Sequence, residues 1–379
     1  MELILKQYDI PLLRFSATND SSTPEIEVHW INEDQRHLLP LDMELSPEGI
    51  SRWMRRRTIP RNRAYVNRLL AKCGLNANRP MGILALCKGL SVDDSYWVVE
   101  EGFEGTFEKY NLFENRFSEV LALIAFTGYG SSNRSSLASS PEFTTNGMLP
   151  KCWRRISGKV TLYKGGTDGG YNTGAEPYCE YYAAQVAAAM GIDAIPYGLS
   201  QWKGRLCSTC ELFTDIDHAY MPIGNLVQRG GFDAVAAYYE NLGEPFQKAF
   251  RDMLVFDTVI CNTDRHYGNF GFMIDNKTNT IAAPAPLFDH GNSLFNFAGV
   301  DALKSRESFL KYAKVQMPCV YDDYVAEAKK VLTHERRSAV RKLLNLKLPR
   351  HSRYNLSRER LSLIEYAVSQ RAAELLEEQ

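Results

Sequence analysis

The stretch from Asn262 to Gly291 constrains the fold of this 379-residue chain more tightly than any other. It begins NTDRHYGN, continues into the strand-forming run FGFMI (270–274), turns at DNKTNT (275–280) and returns as IAAPAPLFDHG. An apolar, aromatic-containing run that ends in an Asn/Asp/Thr turn predicts a hairpin. Counted from a turn centre near Lys277, Asn269 lies eight residues before and Asp289 twelve after. Pro284 and Pro286 take up irregularity in the returning arm. The hairpin therefore carries Asp289 back to Asn269. Two hard oxygen donors at one mouth suit a magnesium ion. Gly291, in the triplet Asp289-His290-Gly291, lets the backbone turn tightly beside them.

Asp264 stands five positions before Asn269. The protein-kinase catalytic loop has the same spacing; there the aspartate takes the proton of the acceptor hydroxyl and the asparagine holds a metal ion. That pair alone recurs by chance. Upstream, Lys164 ends the predicted strand KVTLYK, and Glu180 begins the alanine-rich helix EYYAAQVAAAMG with Gly191 as its C-cap. Ala183, Ala184 and Ala187 let this helix approach a sheet closely. Each residue also has a plainer reading: Lys164 a surface lysine, Glu180 a charge favoured by the helix dipole, Asp289 a turn residue. Glu176 competes for the glutamate role. Taken together, a strand lysine and a helix glutamate ahead of Asp264, Asn269 and Asp289 follow the order used for phosphoryl transfer. That chemistry is mostly positioning and charge neutralisation.

The 44 basic and 45 acidic residues nearly cancel, so no global attraction to nucleic acid or membrane is expected. No stretch approaches the roughly 20 apolar residues of a membrane span, and MELILKQYDIPLLRF does not read as a signal peptide. Eight scattered cysteines suit a reduced, cytoplasmic protein. Cys207 and Cys210 form CSTC within a predicted strand. Residues three apart on a strand point to opposite faces, so zinc is disfavoured.

The Ser-, Gly- and Asn-rich segment from Tyr129 to Gly147 is the linker or mobile-loop candidate. Before it, residues 1–45 alternate like a small β unit, and residues 46–74 read as two helices broken at Pro60, with Ser46 as N-cap, Pro47 at the first position and Gly74 at the end. This segment holds the basic cluster Arg52, Arg55, Arg56, Arg57, Arg61, Arg63, Arg68 and Lys72. It is either a phosphate-binding surface or a helix face whose charges are balanced elsewhere. After the linker come KCWRRI and KVTLYK around a Ser157-Gly158 hairpin turn, the Glu180 helix, the strand GRLCSTCELF, a helix over 245–261 and a helical tail. The expected divisions are 1–130, 131–215 and 216–379.

NTDRHYGNFGF followed by LFDHGNSL, with EYYAAQVAAAMGI upstream, resembles the HipA-like serine/threonine kinases over about residues 140–375. The resemblance implies an α+β, bilobal kinase-like fold: a small β-rich N-lobe, a larger helical C-lobe and a small α/β N-terminal region. It implies ATP and Mg2+ as cofactors, Asp264 as catalytic base, Asn269 and Asp289 as metal ligands, and Lys164 on the ATP phosphates. Glu180 sits at the family's glutamate position, and CELF is the hinge where backbone at Glu211 and Phe213 meets adenine. TTNGMLPK (144–151) resembles the ATP loop and ends in Lys151, but holds only one glycine, Gly147. Thr144 and Thr145 are candidate autophosphorylation sites. The Asp-Arg-His run also resembles the lipid-kinase loop, so His266 either relays a proton near the γ-phosphate or holds the metal loop, while Arg265 pairs with a carboxylate within the loop. The expected activity is Ser/Thr phosphorylation of a protein substrate, and of the chain itself, with a lipid or small-molecule kinase as alternative. An alternative of another class is a weakly catalytic, nucleic-acid-associated module of a toxin–antitoxin-like system. A DNA-binding antitoxin-like partner is implied; a membrane partner is not, and direct nucleic-acid contact stays open.

Overall fold

The computed structural model describes residues 1–18, 23–130, 140–168 and 174–377. The chain opens with β1 (Glu2–Gln7), β2 (Ile10–Ala17) and β3 (Ile26–Ile31), then α1 (Pro47–Arg56), α2 (Val66–Lys72) and α3 (Pro80–Cys87). β4 (Tyr96–Glu100), α4 (Phe107–Tyr110) and α5 (Glu119–Thr127) precede β5 (Lys151–Ile156) and β6 (Lys159–Gly165). Next are α6 (Glu176–Met190), β7 (Gly198–Trp202), β8 (Arg205–Glu211) and β9 (His218–Pro222). α7 (Ile223–Leu226), α8 (Gly231–Asn241) and α9 (Glu244–Ile260) lead to β10 (Gly271–Asp275) and β11 (Thr280–Pro284). The tail holds α10 (Arg306–Lys314), α11 (Tyr324–Val331), α12 (His334–Arg341) and α13 (Arg358–Leu376). The architecture is mixed α and β, with small sheets among many helices. None of the described helices is long and apolar enough to cross a membrane.

The chain divides into two compact units. Unit 1 is Met1–Lys164, Glu211–Met221 and Met273–Ala282; unit 2 is Gly165–Cys210, Pro222–Phe272 and Ala283–Gln379.

In unit 1, the predicted N-terminal β unit is a sheet in the order β3-β2-β1-β4, with β1 antiparallel to both neighbours and Leu5 opposite Leu13 and Val98. Alternation turns Leu3, Leu5, Leu13 and Phe15 onto one core with Trp53 and Met54 of α1 and Met81 and Leu84 of α3. Burial stabilises each such side chain by about 1.5–3 kcal/mol. Ser46 accepts from Gly49 N at 3.1 Å and Pro47 starts α1, as its cap chemistry predicts. Trp97 anchors a second cluster with Phe107, Leu112 and Trp153, and stacks on Tyr110 at 6.1 Å.

Much of the basic cluster is balanced inside this unit. Arg52 lies 3.5 Å from Glu44, Arg56 2.9 Å from Asp42, and Arg57 grips Asp94 at 2.7 and 2.8 Å. Arg63 is buried against Glu142 and also donates to Lys151 O at 2.9 Å.

That last pair corrects the linker reading. Residues 131–139 of the candidate mobile loop lie outside the described residues; 140–144 are buried, while Asn146 and Gly147 are exposed. Glu142 and Phe143 are fully buried, and Glu142 Oε1 accepts from Trp153 N at 2.8 Å. The polar composition that suggested mobility contains a carboxylate with a buried arginine to meet it.

β5 and β6 pair around Ser157 and Gly158, both at positive φ (50° and 85°), the two-residue turn the sequence predicts. β11, β10 and β9 form a three-stranded sheet in that order. Its tip turns on Asp275 Oδ1, which accepts from Lys277 N and Thr278 N. Asn279 then donates to His37 O and Leu39 O at 2.8 and 2.7 Å.

In unit 2, the buried face of α9 runs through Phe250, Met253, Leu254, Val255 and Ile260, and α11 and α13 pack on this helix. α6 begins at Glu176, four residues earlier than expected, because Pro177 suits the first turn of a helix. Glu180 therefore lies in the second turn, outside the reach of the dipole reading given to it.

Candidate active site

In unit 2, α9 ends where Cys261 takes a left-handed conformation (φ 53°), and the chain leaves as the polar loop Asn262–Asn269. Arg265 organises that loop. Its guanidinium is buried, and each N–H of the fork has an acceptor. Nε and Nη2 meet the Asp257 carboxylate at 2.9 and 3.1 Å. Nη1 donates to Asn269 O at 2.9 Å and Phe288 O at 2.6 Å. Nη2 also meets His290 Nδ1 at 3.1 Å. One side chain thus gathers the loop of Asp264 and Asn269 and the segment of Asp289 and His290, the convergence predicted for the hairpin. The partner carboxylate is Asp257 on α9, not a residue within the loop; only folding places that helix turn beneath the loop.

Arginine only donates, so His290 accepts at Nδ1 and carries its ring proton on Nε2. The ring is buried edge-to-face against Phe256 at 5.2 Å and Tyr197 at 6.1 Å. Two further groups fix the Asp289 backbone. Its N–H donates to Tyr197 Oη at 3.1 Å, and the next N–H, of His290, donates to Glu180 Oε2 at 2.7 Å. Burial, then the nearby Glu180, push the Tyr197 phenol well above its ordinary pKa, so it stays a neutral hydroxyl. Asp289 itself has φ 56°, a left-handed conformation that aspartate tolerates better than most residues. Leu287, two residues earlier, bridges in parallel to Ala194 just past α6.

Asn269 donates from Nδ2 to Asp264 O at 3.1 Å, which leaves its Oδ1 as the acceptor available to a cation. Asp264 Oδ2 accepts from Asn292 Nδ2 at 2.8 Å. Among the described residues, its Oδ1 accepts no hydrogen bond. His266 is exposed, and its Nδ1 accepts from Gly268 N at 3.0 Å, so the ring shapes its own turn and directs Nε2 elsewhere. Glu176, the competitor for the glutamate role, instead holds Thr167 N at 3.2 Å and the Thr167 hydroxyl.

Four of the sequence-derived candidates lie in unit 1. Lys151 and Lys164 are directly opposite on β5 and β6, so both side chains project from one face, and both are buried. Lys151 Nζ donates to Asn146 O at 2.8 Å. Gly147 sits against it with φ +90°, and a Cβ there would lie 2.1 Å from Nζ. The Glu211 carboxylate pairs with Lys159 at 2.7 Å, while Phe213 packs edge-to-face on Tyr220. Leu212 N donates to Val160 O at 2.9 Å. Strand alternation therefore turns the backbone groups of Glu211, the last residue of β8, the other way. β7 starts at Gly198 opposite Thr209, so Glu211 lies beyond the strand pairing on that side.

Thr144 and Thr145 are both engaged. Thr144 Oγ1 donates to Leu90 O at 2.9 Å; Thr145 Oγ1 donates to Pro141 O at 2.7 Å and accepts from Trp153 Nε1 at 3.0 Å. Cys207 of the CSTC segment donates to Ser200 O at 3.4 Å. Sequence reasoning missed Asp257, Tyr197 and Asn292, whose separations from the loop carry no local pattern.

No family model matches the chain. A curated relative, the serine/threonine-protein kinase CtkA of Helicobacter pylori strain J99, is 26% identical over 132 residues, 31% of this chain. That match spans 40% of the length of CtkA. Among solved structures, HipA of Shewanella oneidensis MR-1, from a toxin–antitoxin complex with HipB and operator DNA, aligns over 98% of this chain and 96% of its own. The TM-score is 0.54 at 13% identity. The crystal structure of the Helicobacter pylori proinflammatory kinase CtkA aligns over 60% of this chain and 91% of its own, with TM-score 0.47 and 16% identity. The likeness to HipA-like kinases drawn from the motifs therefore holds at the level of fold.

Proposed function

We propose that this chain of HipA-like fold is an ATP- and magnesium-dependent phosphotransferase whose acceptor is a Ser or Thr hydroxyl of a protein. The observation that carries the reading is the single guanidinium of Arg265, which gathers the Asp264–Asn269 loop and the Phe288–His290 segment. Asp264 Oδ1 is the atom that takes the acceptor proton. The donor set fits a hard cation: Asn269 would offer its amide oxygen and Asp289 its carboxylate to magnesium. Magnesium held there neutralises phosphate charge.

Glu180 and Tyr197 hold the backbone that carries Asp289. Lys151 and Lys164 are assigned to the phosphates, and the backbone at Glu211 and Phe213 to adenine. His266 is assigned to shaping the loop, because its Nδ1 is occupied by Gly268 N. The ion pairs within the basic cluster speak against it as a DNA-binding surface, so any association with DNA is assigned to a DNA-binding, antitoxin-like protein partner. Phosphorylation of Thr144 or Thr145 requires these hydroxyls to leave their bonds to Leu90 O and Pro141 O.

Transfer of label from γ-labelled ATP, followed by phosphoamino-acid analysis, tests the reading. Asp264→Asn is expected to lower transfer by about 10²–10⁴-fold with the melting temperature retained. Asp289→Asn is expected to abolish the magnesium-dependent part of the thermal stabilisation by a non-hydrolysable ATP analogue. Wild-type transfer in both variants would remove the site assignment, and label recovered in lipid instead of phosphoserine or phosphothreonine would change the acceptor class.

A further inference from the structure

The Asp264 carboxylate is held from one side, by Asn292, and several interactions fix that asparagine in place. Its backbone carbonyl accepts from both N and Oγ1 of Thr263, each at 3.0 Å, so it is tied to the residue preceding Asp264. Its Oδ1 accepts from Asn296 Nδ2 at 2.9 Å. With its oxygen occupied, the amide presents nitrogen to the carboxylate. The Asn296 carbonyl accepts from Arg360 Nη2 of α13 at 2.8 Å, and the Phe295 carbonyl from the same atom at 3.3 Å. Between the two asparagines, Leu294 and Phe295 are both at positive φ (48° and 61°), a conformation bulky residues rarely adopt. Both side chains are buried, and Leu294 N donates to Ile260 O at 2.7 Å. This backbone brings two asparagines four positions apart side by side without a helix.

We infer that Asn292 is a positioning residue for the base: it holds Oδ2 of Asp264 so that Oδ1 faces the acceptor hydroxyl. Asn296 and Arg360 orient Asn292 in turn. The inference rests on Asp264 being the base. A neutral donor suits the task. A lysine at 292 would pair with the carboxylate and weaken its basicity, and an aspartate would repel it.

The test compares wild type, Asp264→Asn, Asn292→Ala and the double variant, with kcat and KM for MgATP measured for each. Asn292→Ala is expected to lower kcat by about 10- to 100-fold, the worth of one hydrogen bond to a charged group. KM for MgATP should be unchanged. The double variant should be no slower than Asp264→Asn alone, because both losses run through one carboxylate. A merely structural role would give losses that multiply; that result, or a wild-type kcat in Asn292→Ala, overturns the proposal. An Asp264→Asn protein with undiminished transfer removes the base itself, and with it the role given to Asn292. The contact has its own readout in protein labelled with ¹⁵N-asparagine. The Asn292 side-chain amide should exchange slowly in wild type and faster in Asp264→Ala; exchange in wild type as fast as that of exposed asparagines overturns the geometry.

Discussion

Arg265 and Asp93 show opposite fates of a charge drawn out of water, fully for Arg265 and partly for Asp93. Arg265 is matched by a bidentate carboxylate and three further acceptors, so its burial is compensated. Asp93 is not matched in this way. Among the described residues its Oδ2 accepts only the Ser91 hydroxyl, at 3.0 Å, while the neighbouring Asp94 takes the Arg57 guanidinium. Burial, then the charge of Asp94, push the Asp93 carboxyl up to about 6. A carboxyl raised on folding favours the folded state while protonated. Its contribution is complete below about pH 4, the unfolded value, and is lost as pH rises to about 6. Asp93→Asn lacks this titration and keeps an acceptor for Ser91. It is expected to exceed wild type in stability by at most about 3 kcal/mol at pH 7.5, two pKa units at 1.36 kcal/mol each. The gap should close near pH 4. Urea denaturation at both pH values checks this; an equal gap at both shows that Asp93 does not titrate between them.

The β5–β6 hairpin and the turn before it show how far an element can be read from local sequence. Ser157-Gly158 announces a two-residue turn, and the strand register that sets Lys151 opposite Lys164 follows from that turn. The helix of Glu180 is legible in its alanines, but its start lies four residues before Glu180, where Glu176-Pro177 opens the first turn. The 140–147 segment was illegible for a different reason. Its polar residues look mobile until Arg63, far away in the chain, is seen to meet Glu142. Gly147 is required by its φ of +90°, and a Cβ there would push aside the Lys151 ammonium, the tip of a flexible side chain. Gly147→Ala is expected to cost on the order of 1 kcal/mol or more from the backbone conformation alone, and to raise KM for ATP by displacing Lys151. An unchanged KM would separate Lys151 from nucleotide binding.

At the scale of the molecule, buried polar pairs join segments far apart in the chain. Arg63 and Glu142 have fully buried side chains, and burial raises the Glu142 pKa despite the opposing guanidinium. Removing one partner leaves a buried charge, so Glu142→Leu is expected to cost about 3–5 kcal/mol. Arg63→Leu combined with Glu142→Leu should recover part of that loss, since no charge is then stranded. Chemical denaturation of the single and double variants decides it; a double variant as unstable as the sum of both singles would show that the pair acts through its backbone bonds to Lys151 and Trp153 and not through charge. Asn279 plays a similar part without charge, tying the β10–β11 tip to His37 and Leu39.

Strand alternation, turn chemistry and caps act over a few residues, so the linear chain already specifies the hairpins, the start of α1, the end of α6 and the spacing of Asp264, Asn269 and Asp289. Those features need no knowledge of distant neighbours. The partners that make the loop a site are of another kind: Asp257 beneath Arg265, Tyr197 and Glu180 on the Asp289 backbone, Asn292 on Asp264. Each is fixed by closure of a loop whose length is not encoded in any periodic pattern. Their assignment depends on which buried donor finds which acceptor once the chain has collapsed, because an unmet polar group in the interior costs more than any local preference can return.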